Sequence, residues 1–514
     1  MKTPPQANGF RRKIKDLTEL ASVLAKCRAS GKKVAHCHGV FDPLHIGHIR
    51  HFEQARKLGD ILVVTVTPDR FVNKGPHRPV FPESLRAESI AALEFVDYVA
   101  VNEFPMAVET IKLLKPDIYV KGSEFRTGAD RLGAIGLEDE AVRSVGGKLG
   151  FTDDITFSAS NLVNRHLPVF PKQVSEYLAG FSNRFTTADV LRYLENARPL
   201  KVLTIGEAIV DDYSYCEAIG KSSKEPTLVV KHLSNERFAG GILAVANHVA
   251  NFSDHVSLLT FLGDQNSQED FIRSKLNASI DTRFLYRKES PTIVKRRFIE
   301  NYFFQKLFEV YEINDANVAE ADNQALCSAL KGQLAGFDLV VVFDFGHGML
   351  TQETVDILCD EAPYLVVNTQ SNAGNLGYHS ISKYHRADYV CIAEGEARLE
   401  TRDRRGSLES IVQGICQRLN CGRMVVTRGK NGCLCYSEAE GFVQVPALAG
   451  QVVDRIGAGD AFLSVTALCA YQQAPMEIIG FVGNVVGAQA AATVGHRSSI
   501  ERVSLVRNIE HLLK

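Results

Sequence analysis

The chain has 514 residues, 45% hydrophobic and 23% charged, with a formal net charge of −2. That length exceeds one ordinary core and predicts about two or three domains. The near-neutral balance, with no basic stripe, argues against a polynucleotide partner but leaves room for small anions held by a few Lys, Arg and backbone N–H groups.

Residues 1–32 read as an N-terminal extension, whose first fifteen residues are polar and basic and lack the apolar run of a signal peptide. Apolar strands at 33–38, 61–66, 98–101 and 118–120 alternate with helical patterns at 47–57 and 83–93. Such β-α-β repetition predicts a parallel sheet covered on both faces, here spanning residues 33–167. Residues 168–199 read as a helical connector, with Pro168, Pro171 and Pro199 at its ends. A second α/β unit, 200–514, opens with a strand at 201–205 and shows others at 256–262, 339–343, 364–367, 389–392 and 423–427. The most apolar stretch, 478–495, is broken by Asn484 and Gln489 and predicts a buried helix, not a membrane span. Eleven cysteines without C-x-x-C spacing fit free thiols of a reducing compartment. A soluble cytoplasmic protein without a membrane partner is expected.

His45-Ile46-Gly47-His48 falls where a strand ends and a helix begins. The first turn of a helix offers free N–H groups and the positive end of its dipole, which suits phosphate. Gly47 allows close approach to the backbone, and two imidazoles three residues apart can donate to an α-phosphate during in-line displacement. Taken alone, the pair fits a solvent-exposed histidine-rich helix start equally well, with His36, His38 and His51 nearby. Zinc lacks a third ligand at a suitable spacing.

The run from His38-Gly39-Val40-Phe41-Asp42 through His48 resembles the G-x-F-D-x-x-H-x-G-H signature of the cytidylyltransferase-like superfamily. Lys74-Gly75, Arg78-Pro79, Arg86, Val96-Asp97-Tyr98 and Val120-Lys121-Gly122-Ser123 follow in the order of the adenylyltransferase domain of bifunctional heptose kinase/adenylyltransferases. Residues 157–162 stand at that family's S-T-T loop, with Ala159 in place of the middle Thr. The resemblance implies a Rossmann-like nucleotidyltransferase domain in which His45, His48 and Lys74 are catalytic. It places Gly39, Phe41, Asp42, Gly47, Arg86, Lys121, Gly122, Ser158 and Ser160 around the nucleotide, with Asp42 near the Mg²⁺-nucleotide. The other H-I-G-H superfamily, the class I aminoacyl-tRNA synthetases, also needs a K-M-S-K-S-type loop, which is not visible.

Asp454-Arg455-Ile456-Gly457-Ala458-Gly459-Asp460 precedes a long helical pattern. Glycines at a helix start make an N–H nest for a phosphoryl group, and an aspartate at its mouth can take a proton from an attacking hydroxyl. A glycine turn with Asp460 as helix cap is the plain alternative. No Walker A sequence occurs, which excludes a P-loop kinase. The segment resembles the D-x-x-G-A-G-D signature of ribokinase-like (PfkB) carbohydrate kinases, and others follow in order. Gly206 to Asp211 resembles the G-D-x-x-x-D opening, Gly240-Gly241 the sugar-side diglycine, Asp344 to Gly348 the D-Y-x-K-G segment, and Thr427 to Gly432 the T-x-G-x-x-G loop.

That likeness implies a ribokinase-like α/β domain with Asp460 as base. Thr427, Gly429, Gly432, Gly457, Ala458, Gly459 and Asn484 would hold nucleotide and phosphate; Asp211, Gly240 and Gly241 would hold sugar; Glu396 would act indirectly on Mg²⁺. Departures stand at Glu207 for Asp, Ala244 for a sugar-contacting Asn, Ala393 for the Asn of N-x-x-E, and residues 367–370 for a V-D-P-K-like segment. The whole resembles a bifunctional sugar kinase/nucleotidyltransferase with its domains in reversed order. It implies ATP or CTP as substrates, sugar phosphates as partners and a homo-oligomer. The alternatives are a polyol phosphate such as glycerol or ribitol phosphate as acceptor, an inert kinase-fold module, and a non-enzymatic nucleotide-binding regulator.

Overall fold

The structure, a computed structural model, describes residues 9–72, 79–122, 134–152, 170–450 and 452–513. The chain forms two compact units, Met1–Pro171 with Glu510–Leu512, and Lys172–Ile509 with Leu513.

In the first unit five strands, β1 (Val34–Gly39), β2 (Ile61–Val66), β3 (Tyr98–Val101), β4 (Ile118–Gly122) and β5 (Lys148–Thr152), form one sheet in the order β3-β2-β1-β4-β5. Every pairing is parallel. The Ile-Leu-Val-Val-Thr-Val run of β2 is buried throughout, as a strand with helices on both faces must be. Strand order reverses at β1. The crevice beyond its carboxyl end is therefore the topological switch point where open α/β sheets bind ligands.

The second unit carries a nine-stranded sheet and a separate four-stranded one. The strands are β6 (Lys201–Gly206), β7 (Ala208–Lys221), β8 (Leu228–Gly241), β9 (His255–Gln265), β10 (Asp281–Pro291), β11 (Ile293–Glu300), β12 (Gln305–Glu312), β13 (Leu339–Asp344), β14 (Leu365–Thr369), β15 (Tyr389–Ala393), β16 (Arg423–Thr427), β17 (Cys433–Ser437) and β18 (Gly441–Val445). The large sheet runs β10-β9-β6-β13-β14-β15-β16-β17-β18 and the small one β12-β11-β7-β8. In the large sheet the chain leaves β6 toward β9 and returns at β13 to run the other way, so its switch point lies between β6 and β13. The two ends are tied there: backbone N–H groups of Phe345 and His347 donate to the Glu207 carboxylate at 3.0 and 2.9 Å.

The helices Lys172–Ser182 and Thr187–Glu195 lie in the stretch read as a connector, and here the structure corrects the sequence. Val174, Leu178 and Phe181 form an apolar stripe at i, i+4, i+7, and the Phe181 ring stacks on Phe481 at 4.4 Å. The second helix opens with a reciprocal Thr186/Asp189 capping box, and the Gln472 side chain donates to the Tyr193 carbonyl. Both helices pack as part of the second unit because their stripes are too apolar to stay in water. The helix Met476–Ala491 is buried along most of its length, and no helix among the described residues is long and apolar enough to cross a membrane. Phe181→Ala is expected to lower the stability of the second unit by about 3–5 kcal/mol, read as a lower thermal midpoint. A midpoint equal to wild type would show that these helices are dispensable.

Candidate active sites

At the end of β1, His45 caps the helix Ile46–Arg56 in extended geometry, and its Nδ1 accepts the Gly47 N–H at 3.1 Å. In a neutral ring that bond leaves the proton on Nε2, making that nitrogen a donor. His48 stacks on His45 with ring centroids 3.8 Å apart. Beneath them Phe41 meets His48 edge-on at 5.2 Å and packs on Phe52 at 4.8 Å. A Cβ at Gly39 would lie 2.9 Å from the Phe41 ring, so that glycine makes room for the platform. His45, His48, Gly39, Phe41 and Gly47 are thus brought together. Phe41 does so as a buried support beneath the pair. Behind them, burial and the nearby Lys121 charge push His36 down to about 3 and His51 to about 4, so both rings are neutral near pH 7.

Three expected phosphate or nucleotide contacts have other employment. Arg86 is 2% exposed. Its guanidinium donates to the carbonyls of Phe81, Val40 and Thr67 at 2.9, 2.6 and 2.9 Å and pairs with Asp69 at 2.5 Å. It joins the loops after β1 and β2, so it is corrected to a structural residue. Asp42 accepts the N–H groups of Val80 and Phe81 at 2.6 and 2.9 Å, which makes its carboxylate a latch on the chain entering the helix Glu83–Ala91. Lys121 pairs with Glu138 at 2.7 Å, and Glu138 also accepts from Tyr119. Gly122 ends β4 beside β1. Lys74, Ser158 and Ser160 lie outside the described residues.

In the second unit, the helix Ala458–Tyr471 begins after Gly457, whose left-handed φ of 78° turns the chain into it. Asp460 is buried at that start and accepts from the Gln370 amide at 2.5 Å; burial raises its pKa. Glu396 accepts the N–H groups of Ser371 and Ala393 at 3.0 and 2.7 Å and is raised by burial and, less, by the Asp460 charge. Across the site, Asp211 on β7 is ion-paired with Arg297 on β11. A Cβ at Gly240 would lie 2.0 Å from the Asp211 carboxylate, and one at Gly241 2.6 Å from the Glu207 carbonyl. Both glycines are sterically required.

Thr427 ends β16 and leads into the turn Gly429–Asn431, and Gly432 abuts the Val445 carbonyl. Asn484 donates from its amide to the Gly480 carbonyl and Cys433 Sγ, which ties it to its own helix and to β17. Among the described residues, no group of three or more His, Cys, Asp or Glu could hold a metal.

Three residues escaped the sequence, and a fourth, Gln370, is legible there only as part of the departing 367–370 segment. Lys295 and Arg297 alternate inward from β11 and are buried, Gln370 holds Asp460, and His496 lies 3.7 Å from Asp211. For the β11 pair the Lys295-Arg296-Arg297 run was the available signal, and it reads equally as a solvated strand. Arg86→Met is expected to lower stability by more than about 3 kcal/mol, since it strands buried carbonyls. A variant with wild-type melting and only a raised nucleotide KM would instead return Arg86 to the phosphates.

Comparison with known proteins agrees with two sequence families. Residues 36–141 match the cytidylyltransferase-like family and residues 199–502 the pfkB family of carbohydrate kinases. The N-terminal part resembles curated proteins called bifunctional protein HldE. That of Campylobacter fetus is 42% identical over 160 residues, 31% of this chain and 32% of the relative; that of Citrifermentans bemidjiense is 39% identical over 142 residues, 26% and 29% respectively. The chain thus spans about a third of the length of the curated relatives it matches. Among solved structures, phosphofructokinase-2 of Escherichia coli aligns with TM-score 0.48 at 16% identity, over 61% of this chain and 100% of that one. Ribokinase of Thermotoga maritima gives 0.46 at 16%, over 60% and 99%. Across more than half of its length, the chain belongs to the pfkB family of carbohydrate kinases.

Proposed function

We propose that the chain is a bifunctional sugar-activating enzyme. Its first unit transfers AMP or CMP from ATP or CTP to a sugar phosphate, and its second phosphorylates a sugar or sugar phosphate with ATP. The observation that carries the reading is the stacked His45/His48 pair on the first turn of a helix at the switch point of a parallel sheet. An acceptor phosphate oxygen bonds to the α-phosphorus, the bond to the bridging oxygen breaks, and pyrophosphate leaves. His45 and His48 donate to the α-phosphate as charge shifts toward the leaving group. In the second unit Asp460 takes the proton of the acceptor hydroxyl, the acceptor oxygen bonds to the γ-phosphorus, the bond from that phosphorus to the β,γ-bridging oxygen breaks, and ADP leaves.

Mg²⁺ neutralises nucleotide phosphates when bound, usually through one or two carboxylates and the phosphates themselves. Glu396, which feels the Asp460 charge and has each oxygen held by a backbone N–H, fits an indirect role in ordering its shell. A second reading, an inert kinase fold, is favoured by one observation: Asp211, the sugar-side carboxylate, is already paired with Arg297.

His48→Ala is expected to cut pyrophosphate release from nucleoside triphosphate and a panel of sugar, glycerol and ribitol phosphates by about 100–1000-fold. Unchanged release would remove the imidazoles from the chemistry. Asp460→Asn is expected to lower ATP-dependent phosphorylation by on the order of 10²–10⁴-fold. In the wild type that rate falls as pH drops through the Asp460 pKa, which burial raises above the ordinary aspartate value of about 3.9. An acid limb at or below the ordinary value, or no loss in the variant, contradicts the assignment; no ATP consumption at all supports the inert module.

A further inference from the structure

His496 follows the helix Met476–Ala491 and belongs to none of the recognised motifs. Its side chain is 6% exposed, with Nε2 3.7 Å from Asp211 Oδ2. A Cβ at Gly457 would lie 2.2 Å from its Cε1, and one at Gly240 would lie 3.4 Å from its Cδ2. The ring therefore fills the space that the phosphoryl-nest glycine and the sugar-side diglycine leave open. Its neighbours are Asp211 from β7, Asp460 from the helix Ala458–Tyr471, and His248, 6.4 Å away, from the helix Ile242–Ala250. Lys295 and Arg297 from β11 supply positive charge to Asp460 and Asp211 respectively. Among the described residues its polar partner is the Asp211 carboxylate, at a separation longer than a hydrogen bond.

We propose that His496 is an acceptor-binding residue of the kinase site: its imidazole hydrogen-bonds a polyhydroxy acceptor between Asp211 and the Gly457 nest, turning the reacting hydroxyl toward Asp460. This rests on the kinase reading above. It also identifies a polar contact on the sugar side, where Ala244 stands in place of the family's Asn.

The test is steady-state kinetics of the full chain with ATP and whichever free sugar or sugar phosphate the wild type turns over, comparing His496→Phe with His496→Gln. His496→Phe keeps the bulk and loses the hydrogen bond. It is expected to raise the acceptor KM about 10-fold or more while leaving the ATP KM and melting midpoint near wild type. His496→Gln, which restores an amide donor and acceptor, should recover most of the loss. An active wild type whose acceptor KM is unmoved in His496→Phe, or whose two KM values rise together, overturns the assignment and leaves the kinase reading standing. A wild type inert toward the whole panel and indistinguishable from Asp460→Asn overturns both.

Discussion

Phosphoryl and nucleotidyl groups are bulky anions that water solvates well, so a protein must meet them with donors already in place. A parallel sheet supplies this cheaply, because every strand delivers its carboxyl end, and the helix start that follows, to one edge. Both units depend on that arrangement, the second through a large sheet that is parallel except where β16, β17 and β18 pair antiparallel. In one, β1 delivers the His45 cap and the first turn of the helix Ile46–Arg56. In the other, Gly457 turns the chain into the helix that carries Asp460.

A helix terminus alone contributes only about 0.3–1 kcal/mol toward an anion, too little to fix a loop against its own entropy. The loops are held instead by buried polar groups, whose removal costs several times more. Arg86 gathers the carbonyls after β1 and β2. Glu207 gathers the N–H groups after β13, at the price of a carboxyl whose pKa burial and the Asp344 charge raise. Asp454 accepts from Tyr213 and Lys306 of the small sheet and from the N–H of Gly495, joining that sheet to the loop before the Asp460 helix. These contacts explain why several charged residues in the motifs point inward. They are the mould for the site and need not touch what it holds.

That division also sets what could be read from the sequence. Alternating apolar strands and helical periods gave the parallel α/β architecture, because period and burial are local properties. The glycines were legible for the same reason: at 39, 240 and 457 a Cβ would strike a neighbour already named in the motif or facing it. Side-chain destinations were less so. Arg86, Lys121 and Asn484 carry groups that suit a nucleotide, yet each meets a partner that only the fold brings near. His496 is the opposite case, an isolated histidine that tertiary packing sets against Asp211 and Gly457. The two helices after Pro171 read as a connector because their polar faces are obvious in sequence, while the Phe481 ring that receives Phe181 lies far along the chain.

The central claim is that one chain carries two separate phosphorus chemistries on two sheet edges. Phosphorus NMR of the purified full chain, with magnesium and ATP or CTP and a panel of sugars and sugar phosphates, tests it directly. Two sets of products are predicted: pyrophosphate with a new pair of coupled diphosphate-diester (P–O–P) signals, and ADP with a new phosphate-monoester signal. Pyrophosphate absent with every acceptor and both nucleotides would contradict the account.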